Sequence, residues 1–191
     1  MASFLSVPAE RLRSSVAQIV NGSNGSAGTG AAIAWTDGGL FVTSAHVIRS
    51  PRMTVVTPEG RRVPGELVWQ DRRRDVALVR APGARMPQIR TADPSAMRPG
   101  SLVLAIGHPF GLVDAVSTGV LQSVGELPLD LDFEGGRLRW VQADVRLGPG
   151  NSGGPLADAE GRVIGVAAMI VAGLALAVPA PDVEALLASS R

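Results

Sequence analysis

Gly150-Asn151-Ser152-Gly153-Gly154-Pro155-Leu156 sets one serine in a glycine-rich turn. Glycines let a backbone bend sharply and approach a ligand closely. In such a turn the N–H groups of Gly150 and Ser152 can point the same way as the serine hydroxyl. Acyl transfer asks for this arrangement, a nucleophile beside two fixed donors for an oxyanion. A serine is a weak nucleophile at its own pKa, so it needs a base within reach. The chain has two histidines, His46 and His108. His46 lies in Val42-Thr43-Ser44-Ala45-His46-Val47, a short apolar run of strand character. An acid to orient it follows in Arg74-Asp75-Val76-Ala77-Leu78-Val79. Asp71, Asp37 and Asp93 compete with Asp75 for that role. The apolar run after Asp75 favours it, because it carries the acid toward a core where a carboxylate needs a hydrogen-bonding partner.

Thr43-Ser44-Ala45-His46-Val47, Asp75-Val76-Ala77-Leu78-Val79 and the serine turn, in that order, resemble a trypsin-like serine protease, and most closely its HtrA (Deg) branch. Ala105-Ile106-Gly107-His108-Pro109-Phe110-Gly111-Leu112 is similar to a segment of that branch, with His108 where asparagine is usual. Leu174-Ala175-Leu176-Ala177-Val178-Pro179 resembles its closing strand. The match runs from about residue 16 to the C-terminus.

The resemblance implies an all-β fold of two six-stranded antiparallel barrels of the chymotrypsin type, with short N- and C-terminal helices. It implies catalytic roles for Ser152, His46 and Asp75. The oxyanion hole falls on the turn Gly150, Asn151, Ser152, with the Gly150 and Ser152 N–H groups as donors. It places the primary specificity pocket at 145–148, 166–168 and 174–177, which includes Arg146, Leu147, Gly148, Ala167, Ala168, Leu174, Ala175 and Leu176. Ala175 stands where the pattern has glycine, so a small aliphatic residue is expected before the scissile bond. Arg146 stands where the pattern has a small residue. Pointing inward it would favour an acidic side chain; otherwise it faces solvent or pairs with Asp144. His108 is expected to be structural, since two histidines so far apart make no metal motif. Ser117-Thr118-Gly119-Val120 is expected beneath the site. No metal or organic cofactor is expected.

Local patterns agree with this architecture. Short apolar segments separated by turn signals, at 16–20, 30–35, 40–44, 53–57, 62–70 and 76–80, suggest a barrel. Residues 102–106, 113–124, 138–143, 155–157, 163–168 and 174–178 supply a second one. The stretch 83–99, with three prolines and little periodicity, reads as the connection. A helix is expected to start near Ser6-Val7-Pro8-Ala9-Glu10, and another over 181–189, with Pro181 and Asp182 in its first turn. The expected organisation is one protease domain over 1–191. The first barrel takes about 16–90, the second about 100–180, and the helix 181–190. Gly28-Thr29-Gly30 fails as a dinucleotide fingerprint, because no helix follows.

Composition bounds the rest. The chain has 191 residues, 46% hydrophobic and 18% charged, enough to bury a core. A net charge of +1 gives no reason to expect nucleic acid. Arg72, Arg73 and Arg74 read as a solvated loop. With no cysteine, nothing depends on an oxidising compartment. No stretch is long and apolar enough to span a membrane. The first residues lack the pattern of a signal peptide, which suggests a cytoplasmic protein, or a periplasmic one if the N-terminus has been trimmed. The sequons at Asn21 and Asn24 read as a polar turn. The resemblance implies polypeptide substrates and a homotrimer through the N-terminal segment, where Phe4 and Leu5 offer apolar side chains. The alternative is a resting or inactive peptide-binding module on the same fold. An esterase is a weaker third reading.

Overall fold

The computed structural model describes residues 5–22, 28–109, 114–126 and 138–189. Phe4 and the residues 23–26 of the sequons lie outside them. Helix α1 (Ser6–Arg13) precedes a closed barrel of β1 (Val16–Val20), β2 (Thr29–Thr36), β3 (Leu40–Thr43), β4 (Arg52–Val56), β5 (Arg62–Asp71) and β6 (Val76–Arg80). These close in the order β1-β2-β3-β6-β5-β4. A second closed barrel holds β7 (Leu102–Gly107), β8 (Ala115–Glu126), β9 (Arg139–Val145), β10 (Pro155–Asp158), β11 (Val163–Val171) and β12 (Leu174–Pro179). Its order is β10-β11-β12-β9-β8-β7, and α2 (Ala180–Ser189) follows. The expected all-β pair of six-stranded antiparallel barrels is thus present.

Strand β2 reads as a continuous apolar run, and the structure shows why. Ala32 and Ala34 enter the interior of the first barrel, packed with Ile19, Phe41, Val55 and Val79. Ala31 and Ile33, on its other face, enter a core shared by the barrels, with Leu104, Ile106, Val166, Leu176 and Trp140. Strand β7 divides likewise, with Val103 and Ala105 inside the second barrel and Leu104 and Ile106 in the shared core. A strand covered on both faces loses its polar alternation. Leu12 of α1 and Val183 of α2 close the ends of the shared core.

The connection is itself part of the packing. Ile89 N–H donates to Ala34 O at 3.1 Å, Val163 N–H to Arg90 O at 2.7 Å, and Ala92 N–H to Val163 O at 2.9 Å. The connection therefore bonds to both barrels. Its pairing partners are remote in sequence, so local pattern could not reveal them.

Gly153 of the second barrel packs against β2 and the end of β3. Gly153 has φ +83°. A side chain there would meet Thr43 Oγ1, Ala31 O and Ser44 N. Ala31 N–H donates across the seam to Ser152 O at 2.8 Å, and Thr43 Oγ1–H donates to Ala31 O at 2.6 Å.

His108, at the end of β7, is buried. Its Nδ1 accepts the Asp114 N–H at 3.2 Å, which leaves the proton on Nε2. Among the described residues Nε2 is buried without a hydrogen-bond partner. Asp114 lies 3.5 Å from Arg13 of α1. Burial pushes the His108 imidazole below its ordinary 6.5, against the opposing pull of Asp114 and the Ala17 backbone.

Two outcomes follow. Gly153→Ala should lower unfolding stability by at least about 2 kcal/mol in urea titration, through left-handed strain and the clash with β3. As pH falls below the ordinary imidazole value, the unfolded chain takes up the His108 proton before the folded one does. Stability should therefore fall from pH 7.5 toward 5.5, down to the lowered folded pKa. In His108→Gln the acid loss, read by thermal unfolding, should be smaller.

Candidate active site

His46 sits on a single 3-10 turn, Ala45–Val47, directly after β3. Its ring is about half exposed, with side-chain accessibility of 47%, while the side chain of Asp75 is 11% accessible. His46 Nδ1 lies 2.8 Å from Asp75 Oδ2, and the His46 backbone N–H donates to Asp75 Oδ1 at 2.9 Å. A carboxylate only accepts, so Nδ1 carries the hydrogen and Nε2 is left as the basic nitrogen. Asp75 thus holds both the position and the tautomer of the ring.

Asp75 reaches this position through a left-handed backbone, φ +54°. The preceding turn is built by Asp71. Its carboxylate accepts the Arg73 and Arg74 N–H groups at 2.9 and 3.1 Å and pairs with the Arg74 guanidinium at 3.1 Å. Burial opposes ionisation of Asp71, but the Arg74 and Arg73 bonds outweigh it and hold the carboxyl below its ordinary value. The two acids divide the work: Asp71 shapes the loop and takes Arg74, leaving Asp75 to the histidine. Asp93 accepts Ser95 N–H at 2.9 Å and caps a short turn far along the chain.

The serine turn comes from the second barrel. Asn151 N–H donates to Gly148 O at 3.0 Å, closing a turn with Pro149 second and Gly150 third at φ +108°. Proline followed by a positive-φ glycine is the pattern of a type II turn. A side chain at Gly150 would run into the His108 carbonyl. Asn151 N–H is therefore engaged within the turn, which removes it from the expected oxyanion set. Among the described residues the Gly150 and Ser152 N–H groups have no acceptor. Ser152 Oγ donates to Ala168 O at 3.4 Å. Its bond to the imidazole is not formed in this conformation, and catalytic hydrogen bonds commonly tighten only with substrate.

A cavity of about 240 Å³ opens beside Ser152, lined by Leu147, Gly148, Pro149, Asn151, Ala167, Ala168, Met169 and Ile170. Leu147, Gly148, Ala167 and Ala168 are where the sequence placed them. Arg146, Leu174, Ala175 and Leu176 do not line this cavity. Arg146 is exposed. Side-chain alternation turns Ala175 into the interior of the second barrel and Leu176 into the shared core, while Leu174 begins β12. Met169 and Ile170 were missed. Register explains them: β11 carries a bulge between Ala167 and Met169, which moves this end of the strand beside the serine. No sequence signal marks that bulge. A larger groove of about 550 Å³, between the first barrel and α2, touches none of these residues.

Among the described residues no group of histidines, cysteines and carboxylates is placed to hold a metal ion. Among the described residues no helix is long and apolar enough to cross a membrane.

The sequence model of the trypsin-like peptidase domain matches residues 28–166, more than half of the chain. A putative serine protease HhoB of Synechocystis sp. is 34% identical over 156 residues, covering 80% of this chain and 38% of the relative. Serine protease HTRA1 of Xenopus tropicalis is 30% identical over 168 residues, covering 86% and 36%. The chain thus spans less than two fifths of these curated relatives. The solved structure of an HtrA-type protease AlgW with tripeptide superposes with a TM-score of 0.86 at 27% identity, over 98% of this chain and 63% of that one. With its barrels, its serine turn and these relatives, the chain belongs to the trypsin-like peptidase family, as a domain of the HtrA type.

Proposed function

We propose that this chain is a serine endopeptidase that cleaves extended or unfolded polypeptides, with Ser152 as nucleophile, His46 as base and Asp75 as the residue that orients the base. The observation that carries the reading is the doubly bonded His46–Asp75 pair, on the turn that begins at Ser44, where Gly153 of the serine loop packs against the first barrel. Ser152 Oγ attacks the substrate carbonyl. His46 Nε2 takes the hydroxyl proton and passes it to the leaving amine, and Asp75 stabilises the imidazolium in between. The Gly150 and Ser152 N–H groups receive the oxyanion, each worth about 3 kcal/mol of transition-state stabilisation.

An extended substrate has a place to pair. In β11, residues 169–171 pair with β12 on one side, while β10 pairs only with 163–166 on the other. The free edge at 168–170 adjoins Ser152, so a peptide can add there as a strand. A cavity of about 240 Å³ with a largely apolar lining supports a small aliphatic side chain before the scissile bond. An exposed Arg146 supports no acidic preference. Protein quality control and a trimer through the N-terminal segment are parts of this proposal that rest on the family resemblance.

The resting-module reading has one observation in its favour, the donation of Ser152 Oγ to Ala168 O. Fluorophosphonate labelling read by intact mass separates the two. Wild type should label and Ser152→Ala should not, and the variant should lose peptidase turnover by roughly a factor of 10⁶. A folded wild type that does not label would favour the module. Peptides with valine or alanine before the cleaved bond should exceed phenylalanine or aspartate in kcat/KM by at least about tenfold. Arg146→Ala should leave that ranking unchanged, and a loss of aspartate cleavage would refute it.

A further inference from the structure

The two catalytic partners belong to different barrels, so their separation is set by whatever holds the barrels in register. Ser44 is completely buried, two residues before His46. Its hydroxyl donates across the seam to Ala167 O at 3.0 Å, a bond between residues 123 apart in sequence. The Ala167 carbonyl also accepts Gly153 N–H at 2.7 Å, and Ala167 N–H donates to Gly154 O at 2.8 Å. Ala167 is therefore strapped to the loop that carries Ser152, and the next carbonyl along, Ala168 O, receives the Ser152 hydroxyl. On its own side, Ser44 O accepts Val47 N–H at 3.1 Å, closing the turn that carries His46. Ser44 thus belongs to the His46 turn by its backbone and to the Ser152 loop by its side chain.

Asn21 moors the opposite side of the same turn. Its Nδ2 donates to Val47 O at 2.9 Å and its Oδ1 accepts Arg49 N–H at 3.1 Å. Both partners lie in the first barrel, so Asn21 shapes the turn without setting its distance from Ser152.

We propose that Ser44 is a positioning residue for the reaction: through the shared acceptor Ala167 O, its hydroxyl holds the His46 turn of one barrel at fixed distance from the Ser152 loop of the other. The inference rests on the peptidase reading above. It differs from a purely structural role in a measurable way. Removing the hydroxyl leaves Ala167 O still bonded to Gly153 N–H, so no buried acceptor is orphaned and the stability cost stays small. Small misplacements of a base, by contrast, cost rate steeply.

The experiment compares wild type, Ser44→Ala and Ser44→Cys by the second-order rate constant of fluorophosphonate labelling, by kcat and KM on a peptide, and by thermal midpoint. Ser44→Ala should lose about tenfold or more in labelling rate and kcat, with KM within about twofold and little change in midpoint. Ser44→Cys, similar in size with a weak donor, should fall between. Wild-type labelling rate and kcat in Ser44→Ala would overturn the proposal, as would a loss that appears in KM alone. Should Ser44→Ala fail to fold, Ser44→Cys decides. Slower labelling at an unchanged midpoint supports the proposal, and wild-type labelling overturns it. A wild type that itself does not label removes the peptidase reading and this inference with it, before any variant is compared.

Discussion

The seam between the barrels is the constraint on which the rest depends. At Gly153 the second barrel lies against Thr43, Ala31 and Ser44 of the first, with no room for a side chain. Ala31 N–H to Ser152 O and Ser44 Oγ–H to Ala167 O stitch the same line. Each such bond is worth only about 1 kcal/mol net, whereas burying one large aliphatic side chain is worth about 2 kcal/mol. The apolar core around Leu104, Ile106, Val166 and Trp140 therefore supplies the adhesion, and the hydrogen bonds supply the register. An apolar contact tolerates sliding; a buried donor facing a single carbonyl does not.

The candidate site residues inherit that register. His46 hangs on a short turn closed by Ser44 and Asn21, and Ser152 on a turn closed by Gly154 N–H donating to Asn151 O. Neither residue sits within a strand, yet each lies within a few residues of one. Such placement combines the rigidity of the barrels with the free backbone N–H groups that only a turn exposes. The left-handed backbone at Asp75 belongs to the same design. Residue 75 folds back toward His46 because the Asp71 turn before it consumes the neighbouring arginine.

Much of this was legible in the residues. Glycines about Ser152, the short run ending in His46 and the acid before Val76 marked the candidate site residues, because each role needs a particular residue type in a particular local backbone. The turn signals spaced between apolar runs gave twelve strands and the barrel class. What local pattern misplaced is equally specific. Ala175 and Leu176 were read into the specificity cavity, but alternation along β12 sends them into two different cores. Met169 and Ile170 entered the cavity through a bulge that carries no signature. His108, which departs from the family pattern, was expected to be structural, and it is buried at the end of β7 with its carbonyl against Gly150.

Taken by itself, then, the sequence determined which residues could act and which elements carry them, since side-chain chemistry and backbone preference are local properties. Tertiary structure alone decided which carbonyl Ser44 meets, that β11 rather than β12 lines the cavity beside Ser152, and how the His46 turn stands relative to the Ser152 loop. Those depend on strand register and on the packing of one barrel against the other, where the partners are separated by as many as 123 residues. No periodicity along the chain encodes a contact of that range.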